Sequence, residues 1–339
     1  MTAARPAGAG EGGSRGRPGR VSNGVGRGRG ACERRADGAG PFFGRARGLR
    51  SLDRKEVVVR VLVPLDRSEL SEQVLAPLQA CLRAKGEDAE VLLLTVVEPA
   101  GTAAEADPAL DEAEAYLQGA ARRLEGCAAT RSLVRRGDPA EEILSCAAEE
   151  DVDLVAMSTH GRTGVSRWLR GSVAERVLRT LEGVPLLLVN PSSLEGFDAA
   201  RCFRSVLVPL DGSAEANRIL PRVQELGASF GAEVTLLRVQ PFAPAAVPSP
   251  ILAPSLWDPR KVEKSLEPQA ERLREAGLTV RVEARIGDPA AEIVDAAVEH
   301  DLVAMTTHGR SGPSRWWFGS VAEQVVRHCD CPLFVLRSR

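Results

Sequence analysis

From about residue 55 onward, short and nearly continuous apolar runs alternate with longer stretches in which apolar positions recur every three or four residues. The apolar runs fall at 57–65, 91–97, 133–136, 154–158 and 186–189, and again at 206–210, 234–239, 280–286, 302–306 and 333–336. Runs of this kind, in which polar residues do not alternate with apolar ones, are expected of strands buried on both faces, as in a parallel sheet covered by helices on each side. The intervening stretches carry helix-start signals. Ser68 and Ser213 follow the first strand of each series as N-cap candidates, and Leu70, Val74, Leu75, Leu78 and Leu82 then recur at helical spacing. Asp138-Pro139 and Asp288-Pro289 read as an N-cap Asp with Pro at the first helical position, where a missing N–H costs no hydrogen bond. Irregular loops are expected at 99–108 and in the Pro-rich stretch 241–259, ahead of the helices that contain Tyr116 and Leu273.

The two series are copies of one another. VLVPLD occurs at 61–66 and 206–211, an offset of 145, and Gly137-Asp138-Pro139 returns as Gly287-Asp288-Pro289. DLVAM occurs at 153–157 and 301–305, and THGRTGVSRWLRGSVAERV from Thr159 matches THGRSGPSRWWFGSVAEQV from Thr307, an offset of 148. Matches this long at nearly constant spacing mark an internal duplication. The expected organisation is a tail at 1–54, a first domain at 55–192, a linker at 193–203 and a second domain at 204–339. A length of 339 residues agrees with two domains of roughly 150 residues each.

Composition narrows the class. With 44% hydrophobic and 27% charged residues the chain reads as soluble and globular, and no run of about 18 apolar residues offers a membrane span. Residues 1–50 hold eleven Arg against Glu11, Glu33 and Asp37, a net of +8, so the overall charge of −2 leaves about −10 on the rest. This Gly/Arg-rich tail has too little apolar surface to offset its ordering entropy and is expected to be disordered. Its attraction for a polyanion would be unspecific, so no specific nucleic-acid partner is expected. Seven cysteines without regular spacing do not form a disulfide framework, and the start has no apolar leader segment, which together point to the cytoplasm. Cys329 and Cys331 lack the further ligands of a zinc site, and Cys331 is expected to pack at the start of a strand.

Open parallel sheets bind ligands beyond the carboxyl ends of their strands, and polar and glycine residues cluster there in both repeats. After the first strand come Asp66 and Asp211. After the fourth come Gly161 and Gly164, closed by Gly171-Ser172, and in the second repeat Gly309, Gly312 and Gly319-Ser320. Gly171-Ser172 precedes an amphipathic helix, whose exposed amides and positive end suit a phosphate. The same residues have a second reading, in which the glycines make a tight turn and the serine caps the helix. Asp66 and Asp211 likewise either accept from a ribose hydroxyl or base amino group, or shape an Asx turn. His160 and His308 have no nucleophile or orienting carboxylate in either repeat, and Arg162, Arg167, Arg310 and Arg315 read as solvated or phosphate-facing. Trp168, Trp316 and Trp317 read as loop anchors or a partner surface rather than a base-stacking platform.

With VLVPLD followed by Ser, GDPA, and THGR followed by GSVAE in this order, the sequence resembles the universal stress protein family in its tandem form, over about 56–192 and 204–337. The resemblance implies two Rossmann-like (HUP-type) α/β domains, each a five-stranded parallel sheet in order 3-2-1-4-5 with helices on both faces. It also implies ATP, with Mg2+, at the ends of strands one and four. The family's signature of Gly, two residues, Gly, nine residues and Gly-Ser is met at Gly161 and Gly171-Ser172 and at Gly309 and Gly319-Ser320. Its first glycine is Ser158 in one repeat and Thr306 in the other, where a Cβ would narrow the floor of the site. By resemblance the nucleotide contacts fall on Pro64, Leu65, Asp66, Val96, Met157 and Val173, and on Pro209, Leu210, Asp211, Val239, Met305 and Val321. The first repeat departs again at Arg67, where the second has Gly212. The fifth strands, apolar at 184–189 and 331–336, imply an intramolecular pseudo-dimer and leave a homodimer open. The function implied is nucleotide-dependent regulation during stress, not dedicated catalysis. An interaction module without nucleotide, or a slow ATP hydrolase, are the other readings.

Overall fold

The structure, a computed structural model, describes residues 59–85, 89–98, 103–159, 173–190, 203–241, 258–307 and 319–337. The expected tail and most of the expected linker lie outside the described residues. The first half runs β1 (Val59–Pro64), α1 (Glu69–Glu72), α2 (Leu75–Lys85), β2 (Ala89–Val97), α3 (Ala103–Arg122), β3 (Ala129–Arg136), α4 (Pro139–Glu149), β4 (Leu154–Ser158), α5 (Val173–Thr180) and β5 (Leu186–Val189). The second runs β6 (Ser205–Pro209), a 3-10 turn (Ala216–Ile219), α6 (Leu220–Phe230), β7 (Glu233–Gln240), α7 (Pro259–Lys264), α8 (Glu267–Glu275), β8 (Thr279–Ile286), α9 (Pro289–Ala297), β9 (Leu302–Thr306), α10 (Ser320–His328) and β10 (Leu333–Leu336). Each half is thus an α/β domain with five parallel strands.

The ten strands form one sheet in the order β3-β2-β1-β4-β5-β10-β9-β6-β7-β8. Both halves therefore run 3-2-1-4-5, and they join where β5 and β10 pair antiparallel, Leu188 opposite Leu333 and Leu186 opposite Val335. The pairing satisfies the backbone groups that a lone edge strand would leave open.

Burial explains why these strands read as unbroken apolar runs. Successive side chains point to opposite faces, so Val61 and Val63 pack beneath α2 and α3 while Leu62 packs beneath α4 and α5. Both faces are covered by helices, so polar side chains buried there are few, and one of them, Thr95 of β2, is hydrogen-bonded. The first-face core is continuous across the two domains: Leu78 and Leu82 of α2 share it with Leu226 of α6, and Phe203 meets Phe230 edge-to-face at 5.7 Å.

Local signals act as read, with three differences. Ser68 accepts from the Ser71 amide at 3.1 Å and caps α1, and Asp138 and Asp288 cap α4 and α9 with Pro at the first turn. Ser213 also accepts from an amide, that of Ala216 at 3.0 Å, but the segment it opens is a 3-10 turn that leads into α6. Strand β3 starts four residues earlier than the apolar run at 133–136, because Ala129 to Ser132 at the sheet's edge are exposed and carry no hydrophobic signature. Helix α3 begins at Ala103, inside the expected 99–108 loop, and runs through Pro108. Among the described residues no helix is long and apolar enough to cross a membrane.

Candidate functional site

The carboxyl ends of β1 and β4 lie side by side, since Val61 is registered with Leu154 and Leu62 with Val155. On the other flank of β1, Pro64 is registered with Leu94, which puts Val96 next to the loop after β1. Pro64, Leu65, Asp66, Val96, Met157 and Ser158 therefore converge on one end of the sheet. In the second domain β6 is flanked by β9 and β7 in the same way, which brings Pro209, Leu210, Asp211, Val239, Met305 and Thr306 together.

The loop after β1 is held by a short relay. The Leu65 amide donates to Leu94 O at 2.8 Å, and buried Thr95 Oγ1 donates to Leu65 O at 3.0 Å. Asp66 Oδ1 accepts from the Ser68 amide at 3.0 Å and from Ser68 Oγ at 2.6 Å, which is an Asx turn. Asp211 repeats it with Ser213, at 2.9 Å from the amide and 2.6 Å from Oγ. The turn role of both aspartates is therefore in the geometry, and it fixes each carboxylate just past the carboxyl end of its domain's first strand. Behind the first loop, the Tyr116 phenol has its pKa raised well above 10, by burial first and then by Glu72.

Across the crevice the second domain is the better described. The Gly319 amide donates to Thr307 O at 2.9 Å, tying the start of α10 to the end of β9. Helix α10 begins at Ser320 with Gly319 as its cap, so its first-turn amides and positive end lie beside Met305 and Thr306. Val321 packs against the second-face core, as Val173 does at the start of α5. Ser158 and Thr306, which stand where a first glycine was expected, are both 6% exposed at the ends of β4 and β9. Gly161, Gly171, Ser172 and Gly309 lie outside the described residues, as do Gly164, Gly312, His160, His308, the four loop arginines and the three loop tryptophans.

One residue of this region escaped the sequence reading, Arg238 of β7. Gly212 follows Asp211 at φ +81°, and the guanidinium of Arg238 from β7 lies over it; a Cβ at 212 would stand 2.5 Å from Nη1. Arg67 occupies the matching position in the first domain at φ +67°. A signal was present in the duplication: the repeats differ at 67 and 212, and again at Thr95 and Arg238.

Among the described residues no group of three or more His, Cys, Asp or Glu is arranged to hold a metal ion. Cys331 sits just ahead of β10 and donates to His300 O at 3.3 Å, in keeping with a packing role.

Comparison with known proteins gives the same architecture. The profile of the Universal stress protein family matches residues 59–190 and again 203–337. A universal stress protein of Methanocaldococcus jannaschii is 29% identical over 142 residues, 40% of this chain and 82% of that protein. One from Thermus aquaticus is 27% identical over 139 residues, 40% of this chain and 99% of that protein. The crystal structure of a universal stress protein from Archaeoglobus fulgidus superposes with a TM-score of 0.63 at 24% identity, covering 83% of this chain and 97% of that one. At this identity the superposition speaks for the fold, and it spans both halves at once. With the family profile satisfied twice on one continuous sheet, the chain belongs to the universal stress protein family, in the tandem form with two domains.

Proposed function

We propose that each domain binds an adenine nucleotide, ATP with Mg2+, in the crevice between the ends of its first and fourth strands. In the cytoplasm, ATP then biases the conformation or assembly of the protein, and partners read that state during stress. The observation that carries this reading is the opposition, in the second domain, of a fixed carboxylate, Asp211, and a helix start, Gly319-Ser320, across one crevice. An acceptor on one side and backbone donors with a positive helix end on the other are what a nucleoside and its phosphates require.

The residues present fit such a ligand. Asp66 and Asp211 would accept from the nucleoside, Val96 and Val239 would flank the base, and Met157 and Met305 would lie beneath it. The amides at Gly319, Ser320 and Val321, with the Ser320 hydroxyl, would take phosphate oxygens, as Gly171, Ser172 and Val173 would in the first domain. Ser158 and Thr306 would line the floor, with Gly161 and Gly309 in the adjoining loop. Mg2+ keeps several waters and is commonly held through phosphates with one or two carboxylates, so it needs no dedicated protein cage. Binding, not cleavage, is the activity proposed. The loops after β1 and β6 read PLDRS and PLDGS, and the chain has no Walker-type lysine. A ligand can regulate only by binding one state better than another. The β5–β10 junction is a natural place for two such states to differ.

Calorimetry with ATP and AMP in the presence of magnesium tests this reading on the intact chain and on the Asp66→Ala/Asp211→Ala variant. Binding at micromolar concentration that is lost in the variant is expected. A Ser68→Ala/Ser213→Ala variant loosens the same turns but keeps both carboxylates, and so separates the turn role from the binding role. A folded protein that takes up neither nucleotide would transfer the function to the interaction-module reading.

A further inference from the structure

The two domains place one arginine each beside the loop that follows their first strand, but from different elements. In the first domain it is Arg67, within the loop itself, with Nη1 3.6 Å from the Glu112 carboxylate. In the second domain Gly212 takes that place, and Arg238 reaches over it from β7 with Nη1 and Nη2 2.5 and 2.9 Å from the position a Cβ would occupy. Leu65 and Leu210 donate to Leu94 and Leu237 respectively, both at 2.8 Å, so Thr95 and Arg238 are equivalent positions. Thr95 is buried and spends its hydroxyl on Leu65 O. The second domain has thus replaced a closed structural contact with a long cation at the crevice mouth and removed the side chain that would obstruct it.

Among the described residues that cation is not committed to a carboxylate: Arg238 forms no ion pair, and its one described hydrogen bond runs from Nη1 to Ser265 Oγ at 3.1 Å. Arg135, Arg176 and Arg285 by contrast are each paired with carboxylates. A half-buried guanidinium carries five donors in a planar fork that matches phosphate, and one hydroxyl leaves most of them for another acceptor. Its location names which phosphate. Arg238 overlies the residue adjacent to Asp211, at the nucleoside side of the crevice, whereas Gly319-Ser320 starts a helix beside β9. Dinucleotide-binding folds use the same chemistry, with an acid for a free ribose hydroxyl and an arginine for a phosphorylated one.

We infer that the second domain selects an adenine nucleotide carrying a phosphate on its ribose 2′ or 3′ oxygen, with Arg238 as the residue that recognises that phosphate. The first domain, with Thr95 closed and Arg67 paired to Glu112, does not make this distinction. This rests on the nucleotide reading of the crevice given above.

The test is calorimetry with 5′-AMP, adenosine 2′,5′-bisphosphate and adenosine 3′,5′-bisphosphate on the full chain carrying Asp66→Ala, so that the second crevice is read by itself. One of the bisphosphates is expected to bind about tenfold more tightly than 5′-AMP, the scale of one charge-assisted contact. Which bisphosphate does so identifies the oxygen. Adding Arg238→Ala is expected to bring the ratio near one, while Arg238→Lys, a point charge without the fork, retains part of it. Thermal melts of both variants establish that they fold. A ratio near one before Arg238 is changed, or a preference that survives Arg238→Ala, overturns the inference while leaving nucleotide binding in place. If all three nucleotides fail to bind the unmutated chain while ATP binds, this inference is overturned and the crevice reading stands; if ATP fails as well, the crevice reading falls and this inference with it.

Discussion

Phe334 of β10 stands opposite Leu187 of β5, on two antiparallel strands that close two parallel sheets into one. Each is 2% exposed. The two domains are therefore held together by the same kind of contact that holds each of them together internally: a backbone ladder with apolar side chains packed on both faces.

This junction is expected to contribute strongly to stability. Phe334→Ala should cost about 3–5 kcal/mol, the range for removing a buried aromatic ring, with Leu187→Ala costing about 2–5 kcal/mol. Urea unfolding followed by circular dichroism measures both. A loss below about 1 kcal/mol for Phe334→Ala would mean that the domains do not depend on this contact.

The exchange of Arg67 and Gly212 predicts opposite effects of opposite substitutions. A non-glycine residue in the left-handed region is strained by roughly 1–2 kcal/mol, and Arg67 sits at φ +67°. Arg67→Gly relieves that strain, loses flexibility on folding in return and gives up one exposed ion pair, so a net gain of about 0.5 kcal/mol is expected. Gly212→Ala, at φ +81°, should lose about 1 kcal/mol and displace the Arg238 guanidinium. Thermal melts of the two single variants give the comparison.

Tyr116 is the chain's single tyrosine, which makes its ionisation directly readable. Burial and the neighbouring Glu72 carboxylate hold its pKa well above the ordinary 10, so the folded state favours the neutral phenol. The associated stability is complete below pH 10 and is lost as pH rises through the folded value. Absorbance at about 295 nm should show tyrosinate forming at higher pH in the native protein than in denaturant. Glu72→Gln should lower the native midpoint only partway, because burial is the larger cause.

At the start of α4, Asp138 is held below its ordinary value of 3.8, by the Glu141 amide first and by Arg176 second. A depressed carboxyl adds stability above pH 3.8 that is lost as pH falls through the folded value. The second domain has Asp288 in the same cap with Gln324 in place of Arg176. Carboxyl-carbon NMR is expected to show Asp138 titrating at the lowest pH in the unmutated chain. In Arg176→Ala its pKa should move up but stay under 3.8, since the amide bond remains. A full return to 3.8 would assign the shift to Arg176 alone.

Much of the architecture is legible in the sequence. The apolar runs marked all ten strands because strands covered on both faces admit few polar positions, and Asp138-Pro139 and Asp288-Pro289 marked two helix starts because caps are local chemistry. The late start read for β3 has the same root. Ala129 to Ser132 extend β3 by pairing with Glu90 to Leu93, although their own side chains are exposed. A strand held only by its neighbour's backbone leaves little trace in hydropathy.

For the candidate site, the duplicated VLVPLD and THGR motifs pointed to the carboxyl ends of the first and fourth strands, and of the two roles read for Asp66 and Asp211 the Asx turn is the one the geometry contains. Residue order cannot say what a side chain three elements away will overlie. Arg238 drew no notice on β7 because a single arginine near a strand end is commonplace, and Gly212 was marked only as a difference from Arg67. Only the pairing of β7 beside β6 brings the two together.

The sequence alone determined the two-domain duplication, the α/β class, the helix caps and the family, since each rests on periodicity, spacing or contacts between residues close along the chain. The tertiary structure decided the rest: one ten-stranded sheet joined at Leu187 and Phe334, the Asx turns that fix both aspartates, and the guanidinium over Gly212. These depend on distances between segments far apart in sequence, and such distances are set only when burial and hydrogen bonding choose a single packing for the whole chain.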